Sequence, residues 1–284
     1  MATLSHSNSK DTYKGKLALI TGGSSGIGMA LAQLLARQGA NVWLLARRQQ
    51  PLESALQGLP CYNGQRHGML SVDVSNWEQV QDAMQGFQNE VGVPDLLINS
   101  AGITHPGYVQ EIPVEVFHQM IQVDYLGIVH MVKAVLPGML ARGSGHIVNI
   151  SSGAGYVGLF GYTAYGAAKY AVRGFTDVLR AEVKPLGVQV SIVFPPDTDT
   201  PQLAYENEFK PFETRVITGN GGMLRPDKVA QAILDGVRRK QYAIVPGLEN
   251  SIAYRLSGLL GNAVYPVMDM MVADARKKKA KDTH

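Results

Sequence analysis

A tyrosine and a lysine four residues apart, Tyr165 and Lys169, can give and take a proton at a carbonyl. On a helix, residues i and i+4 share a face, so the ammonium would lie beneath the phenol. A free tyrosine titrates near about 10, and a nearby ammonium favours the phenolate, which makes the group more useful near neutrality. Ser152, thirteen residues earlier and at the end of an apolar run, can donate a hydrogen bond to a substrate oxygen as charge develops there.

A second group can hold a dinucleotide. In Thr21-Gly-Gly-Ser-Ser-Gly-Ile-Gly28, the glycines Gly22, Gly26 and Gly28 frame Ser24, Ser25 and Ile27 between a first apolar run and a first helical stretch. Glycine there permits a tight turn, a close backbone approach to a pyrophosphate and close packing of helix on strand. The free N–H groups and the positive helix end then attract phosphate. A proton donor for a carbonyl beside a dinucleotide site means hydride transfer. The second apolar run ends Leu45-Ala46-Arg47-Arg48. An NAD site would place a carboxylate at this strand end; here Ala46 fills the place, and Arg47 and Arg48 suit a 2′-phosphate, so NADP(H) is expected over NAD(H).

The elements that must position these groups are legible as an alternation. Lys16–Thr21, Asn41–Ala46, Gly68–Val72, Asp95–Asn99, His146–Ile150, Gln189–Phe194 and Tyr242–Val245 read as buried strands, several nearly continuous in Val, Ile and Leu. Helical stretches fall near Ile27–Gln38, Trp77–Val91, Val114–Leu140, Ala164–Leu186 and Asp227–Arg239. Strand and helix in turn predict an α/β fold of Rossmann type: a doubly wound parallel sheet of about seven strands with helices on both faces. No repeat or low-complexity linker interrupts residues 1–284, so a single domain is expected. Two segments depart from the alternation. Pro201–Leu224 is a long connection of the kind that covers a site, and 248–284 reads as two short helices with an apolar face and a basic tail.

Apolar residues make up 45% of the chain and charged residues 17%, enough for a core of ordinary globular kind. The net charge of +3 is too mild to argue for nucleic acid. Its one concentration, Arg276 to Lys281, suits a solvated tail or contact with an anionic membrane. One cysteine, Cys61, gives no disulfide framework, and the seven histidines have no metal-ligand spacing. The polar Met1–Lys10 stretch carries no apolar signal region, so a cytoplasmic setting is expected, with the cytosolic face of a membrane as its variant. Ser251–Ala273, the nearest approach to a membrane span, is broken by Arg255, Pro266 and Asp269.

As a set, the glycine turn, Asp73-Val74, Asn99-Ser-Ala-Gly102, Ser152 and Tyr165-Gly-Ala-Ala-Lys169 resemble the short-chain dehydrogenase/reductase family over residues 16 to about 200. The resemblance implies that Asp73 and Val74 face the adenine, while Asn99, Ala101 and Gly102 support the cofactor and the central strand. It makes Tyr165 the proton donor and has Lys169 lower its pKa and bind the nicotinamide ribose. It also implies a homodimer or homotetramer built on the two long helices. One departure stands out. Where the family often has a catalytic Asn-x-x-Gly, this chain reads Val123-Asp124-Tyr125-Leu126-Gly127, placing a carboxylate in the proton relay.

Further on, Pro195-Pro-Asp-Thr-Asp-Thr-Pro201, Gly158-Leu-Phe-Gly-Tyr-Thr-Ala-Tyr165 and Glu206-Asn-Glu-Phe-Lys-Pro211 resemble the 3-ketodihydrosphingosine reductases. That implies NADPH-dependent reduction of a long-chain lipid ketone, with Pro195, Thr198 and Thr200 at the nicotinamide. On charge and polarity alone, Asp197, Asp199, Glu206 or Glu208 suit the substrate ammonium and Leu203, Tyr205, Phe209 and Phe212 its tail; a solvated acidic lid is the alternative reading. A reductase of 3-oxoacyl thioesters and a weakly catalytic NADP(H)-binding sensor are the alternatives.

Overall fold

A computed structural model of the chain describes residues 13–62, 64–219 and 222–282; the Met1–Lys10 stretch read above lies outside them. The first half alternates β1 (Leu17–Thr21), α1 (Gly26–Arg37), β2 (Asn41–Ala46), α2 (Gln49–Gln57), β3 (Gly68–Ser71), α3 (Trp77–Glu90) and β4 (Leu96–Asn99). A long helix follows, made of α4 (Val114–Met120), a π-helical turn (Ile121–Leu126) and α5 (Gly127–Arg142). Then come β5 (Gly145–Ile150), α6 (Thr163–Val183) and β6 (Val188–Val193). The connection after β6 carries α7 (Pro201–Phe209) and α8 (Phe212–Thr218), and α9 (Pro226–Arg238) leads to β7 (Ala243–Ile244). Helices α10 (Leu248–Leu260) and α11 (Val264–Asp282) close the chain.

The seven strands form one parallel sheet in the order β3-β2-β1-β4-β5-β6-β7. Apolar residues cover both faces, as continuous hydrophobic strands require. On one face Leu31, Leu35, Ile233 and Leu234 of α1 and α9 pack against Ile20, Leu44 and Ile98. On the other, Met84, Met131, Val135 and Val172 of α3, α5 and α6 pack against Leu19, Leu97 and Ile147. The strand order reverses between β1 and β4, and the crevice beyond their carboxyl ends is where such sheets bind ligands.

Two expectations differ from what forms. The 201–224 connection is mostly helical: Pro201 starts α7, where its missing N–H costs nothing, and Thr200 caps that helix by accepting a hydrogen bond from the Leu203 N–H (3.3 Å). The C-terminal helices are not broken by Pro266, which lies in the first turn of α11 and is tolerated there. By length and composition the stretch Leu248–Lys281 could cross a membrane, and none of its apolar window is buried. The other helical stretch of that kind, Val114–Arg142, is the core helix described above.

Candidate active site

At the crevice, Gly22 takes φ +66° and donates its N–H to the Leu45 carbonyl at 2.8 Å. A Cβ on it would sit 2.8 Å from the Ala101 nitrogen, and one on Gly28 would sit 2.4 Å from the Gly22 carbonyl oxygen. Both contacts are backbone, so neither position has room for a side chain. Thr21 Oγ1 accepts from the N–H groups of Ser100 and Ala101, both at 3.0 Å, and so ties β1 to the β4 exit. Ser25 caps α1 with extended backbone and no side-chain bond to the helix, so the first-turn N–H groups face the crevice without a side-chain acceptor.

A cavity of about 300 Å³ runs from this turn to Tyr165. Its end at the glycine turn is lined by Gly22, Ser24, Ser25, Gly26 and Ile27, by Ala46 and Arg47, by Asp73 and Val74, and by Ala101 and Gly102. Arg47 is exposed at the rim, 3.9 Å from the Asp73 carboxylate. Arg48 instead caps α2 and does not line the cavity. Asp73 also accepts from the N–H and hydroxyl of Ser75, which fixes the turn into α3. Asn99 lies behind the cavity, in a buried ladder: its amide donates to Asn149 (2.9 Å), which donates to Thr176 (3.0 Å). That ladder joins β4, β5 and α6. The glycine cradle, the open helix end and an arginine where an adenosine ribose would lie fit a nicotinamide dinucleotide.

The other end of the cavity gathers Ser152, Tyr165, Lys169, Pro195, Thr198 and Thr200. Ser152 caps a short 3₁₀ turn by accepting from the Ala154 N–H (3.2 Å). Thr198 donates to the Pro196 carbonyl, and the Thr200 methyl closes against Gly26, which brings the α7 start to the glycine turn. Lys169 Nζ lies 5.3 Å from the Tyr165 ring centroid, donates to the Ile150 carbonyl (3.4 Å) and sits 3.6 Å from Asp124 Oδ2.

Asp124 is fully buried on the π-turn, a distortion that recurs at functional positions. Its Oδ1 accepts from the Ile103 N–H at 2.7 Å, while among the described residues Oδ2 has only Lys169 as a near partner. Burial pushes its carboxyl up to about 6, against the pull of Lys169 and the Ile103 N–H. Gly102 completes the packing: a Cβ there would meet Asp124 and Lys169 at 3.3 and 3.4 Å.

Tyr165 departs from the expected behaviour. Burial drives its phenol well above the ordinary value, and the charges of Asp124 and Glu206 add to the rise, while hydrogen bonds with Ser152 and Gln202 oppose it. The lysine charge that was to favour the phenolate is paired with Asp124 instead. Tyr165 is therefore protonated at neutral pH, the state a proton donor needs.

Of the four carboxylates offered for a substrate amine, Asp197 and Glu206 line the cavity; Asp199 and Glu208 are exposed and do not. Of the apolar set only Leu203 lines it. Tyr205 and Phe209 instead stack with His105 at the surface, and His105 Nδ1 lies 2.9 Å from the Tyr205 hydroxyl. Sequence reasoning missed Tyr162 and Gln202. Tyr162, three residues before Tyr165, had a legible spacing signal; Gln202 had none.

The model of the short chain dehydrogenase family matches residues 16–211. The chain is 40% identical over 229 residues to a 3-ketodihydrosphingosine reductase of Mus musculus, covering 78% of this chain and 68% of that one. Among solved structures, a short-chain dehydrogenase/reductase from Burkholderia phymatum in complex with NAD is similar (TM-score 0.76, 26% identity, 86% of this chain and 93% of that one). So is a short-chain dehydrogenase from Sphingobium yanoikuyae in complex with NADPH (TM-score 0.75, 27% identity, 89% and 95%).

Proposed function

The chain belongs to the short-chain dehydrogenase/reductase family, an oxidoreductase acting on a CH–OH/C=O group, and on that premise we propose that it reduces the 3-keto group of 3-ketodihydrosphingosine with NADPH. The observation that carries the reading is the Tyr165 hydroxyl buried at the end of the glycine-lined cavity, with Ser152 on the same wall and the Lys169 ammonium 5.3 Å from its ring centroid. The similarity to the mouse reductase supports the sphingoid substrate.

A nicotinamide dinucleotide held by the glycine turn and Arg47 would supply the hydride. Tyr165 gives its proton to the carbonyl oxygen, and Ser152 orients that oxygen and shares its developing charge. Lys169, held by Asp124 and the Ile150 carbonyl, keeps its ammonium 5.3 Å from the Tyr165 ring centroid, and protonation of Asp124 frees that charge for the phenolate left behind. Asp124, titrating near neutrality, is a station from which the proton is restored. Arg47, at a strand end with Ala46 where a carboxylate would favour NAD, supports NADPH through its 2′-phosphate.

The exposed apolar residues of α10, among them Leu248, Ile252, Leu256 and Leu259, recur at helical spacing on one face. With the basic end of α11 they support contact with an anionic membrane, where a lipid substrate resides. Exposed Tyr170 and Val178 on α6 support a subunit contact there.

NADPH oxidation at 340 nm with purified protein tests the reading, with 3-ketodihydrosphingosine against a 3-oxoacyl thioester and NADPH against NADH. Turnover of the sphingoid ketone with NADPH is expected, falling about 10²–10⁴-fold in Tyr165→Phe. Preference for the thioester sinks the substrate assignment, and an unimpaired Tyr165→Phe sinks the mechanism.

A further inference from the structure

We propose that Glu206 is the residue that reads the ammonium of the substrate and so makes this site selective for a 2-amino-3-ketone over a neutral ketone of the same length. The proposal rests on the sphingoid-ketone reading above and names the group that confers it.

The substrate's chemistry sets the geometric demand. An amine on the carbon next to the carbonyl lies within two bonds of the reacting carbon, so its counter-charge must stand close to the proton donor. Glu206 meets that demand. It is buried on α7, lines the cavity and accepts the Tyr162 hydroxyl at 2.6 Å and the Gln202 amide at 3.2 Å. Both of those neighbours line the cavity with Tyr165, and the Tyr162 ring centroid lies 5.8 Å from its own. The Glu206 carboxylate is therefore one side-chain layer from the reacting oxygen. Asp124, the other carboxylate whose charge acts on Tyr165, has its charge taken up by Lys169.

Charge balance points the same way. Buried Lys210 lies 3.2 Å from Asp197 and 3.9 Å from Glu206, so one ammonium serves two carboxylates. The tighter pairing is with Asp197, which leaves Glu206 the less compensated anion at the cavity wall. A buried anion without full compensation is costly, and a ligand cation relieves that cost on binding. Burial raises the Glu206 carboxyl above its ordinary value, the expected mark of that incomplete compensation. A neutral ketone offers nothing in return for desolvating the carboxylate further.

The test is Glu206→Gln, which keeps the size of the side chain and an acceptor for Tyr162 while removing the charge. Three ketones of equal chain length are compared by kcat/KM: 3-ketodihydrosphingosine, its N-acetyl derivative and the analogue lacking the amine. Wild type is expected to prefer the amino-ketone. The variant is expected to lose about 10- to 100-fold on that substrate alone, the range for a lost charge-assisted contact, with the loss mainly in KM. Removing the Glu206 charge also lowers the Tyr165 pKa, so rates are compared near pH 7, where the phenol stays protonated in both proteins; turnover of the neutral analogue there reports an intact fold and a Tyr165 that still donates. Equal loss on all three ketones would make Glu206 a structural tie between α7 and Tyr162 and overturn the proposal. A wild-type enzyme that reduces amino and neutral ketones alike would overturn amine recognition while leaving ketone reduction standing. A wild-type enzyme inert toward all three would overturn the underlying reaction as well.

Discussion

Replacing Asp124 by asparagine should stabilise the protein at neutral pH, although it removes a buried ion pair. The unfolded carboxyl titrates at about 3.8 and the folded one at about 6, because burial disfavours the anion more than Lys169 and the Ile103 N–H restore it. The fold thus binds this proton more tightly than the unfolded chain does. The resulting stabilisation is complete below the unfolded value and is lost as pH rises through about 6. At pH 7.5 the ionised carboxylate therefore costs about 3 kcal/mol, the free energy equivalent of the gap between those two values. Asparagine keeps the Oδ1 that accepts from Ile103 and carries no charge to desolvate. For a chain of this size about 3 kcal/mol corresponds to a rise of roughly 5 °C in Tm. The assay is thermal unfolding of both proteins across pH 4 to 8, and the gap should close as pH falls from 6 towards 4. The same substitution acts on Tyr165. The ammonium is 3.6 Å from the carboxylate and 5.3 Å from the phenol ring centroid, so the carboxylate lies within about 9 Å of the ring. A unit charge at that range is worth about 2 kcal/mol at an effective dielectric of 20. The rising limb of alcohol oxidation, where Tyr165 must act as the phenolate base, should move to lower pH by about one unit. A variant that melts below wild type at pH 7.5 would refute the reasoning, since it would show that Coulomb attraction to Lys169 exceeds the desolvation cost.

Two further changes test the frame around the site. Gly28→Ala puts a methyl against the Gly22 carbonyl, so it should cost about 1–3 kcal/mol by overpacking and abolish NADPH binding, read by nucleotide fluorescence. His146 donates from Nε2 to Ser191 Oγ (2.8 Å), whose own proton goes to the Gln241 carbonyl, and burial lowers its pKa from 6.5 to about 4. Because the folded value is the lower one, its stabilisation is present above pH 6.5 and is lost as pH falls towards 4, up to about 3 kcal/mol. Urea unfolding of His146→Gln at pH 7 and 4.5 should show a smaller acid loss than wild type; an equal loss would place the acid sensitivity elsewhere.

How much of this was legible follows from how far each signal reaches along the chain. The strands were clear because parallel strands covered on both faces must be apolar throughout, as in Leu17–Thr21 and Val188–Val193. Helix α2 (Gln49–Gln57) went unread: with Pro51 in its first turn and only Leu52 and Ala55 buried, it offers little periodicity. The π-turn at Ile121–Leu126 was likewise hidden, since a continuous helical pattern does not report one extra residue in a turn. At the site, the glycine turn and the Tyr165–Lys169 pair were readable because their geometry is local, set by one turn and one helix face.

Glu206 and Asp124 show where that legibility stops. Both residue types are plain in the sequence, but what each does is decided by partners 44 and 45 residues away, Tyr162 for the one and Lys169 for the other. Spacing cannot say whether a carboxylate at the lid points into the cavity, as Glu206 does, or into water, as Glu208 does. Nor can it say that a lysine placed to ionise Tyr165 is already committed to Asp124. The consequence is chemical. With its positive charge engaged, Lys169 leaves Tyr165 protonated, and the resting site is set to deliver a proton. A sequence pattern that names an acid–base pair leaves open which member holds the proton at rest; here burial and the charges of Asp124 and Glu206 keep it on Tyr165.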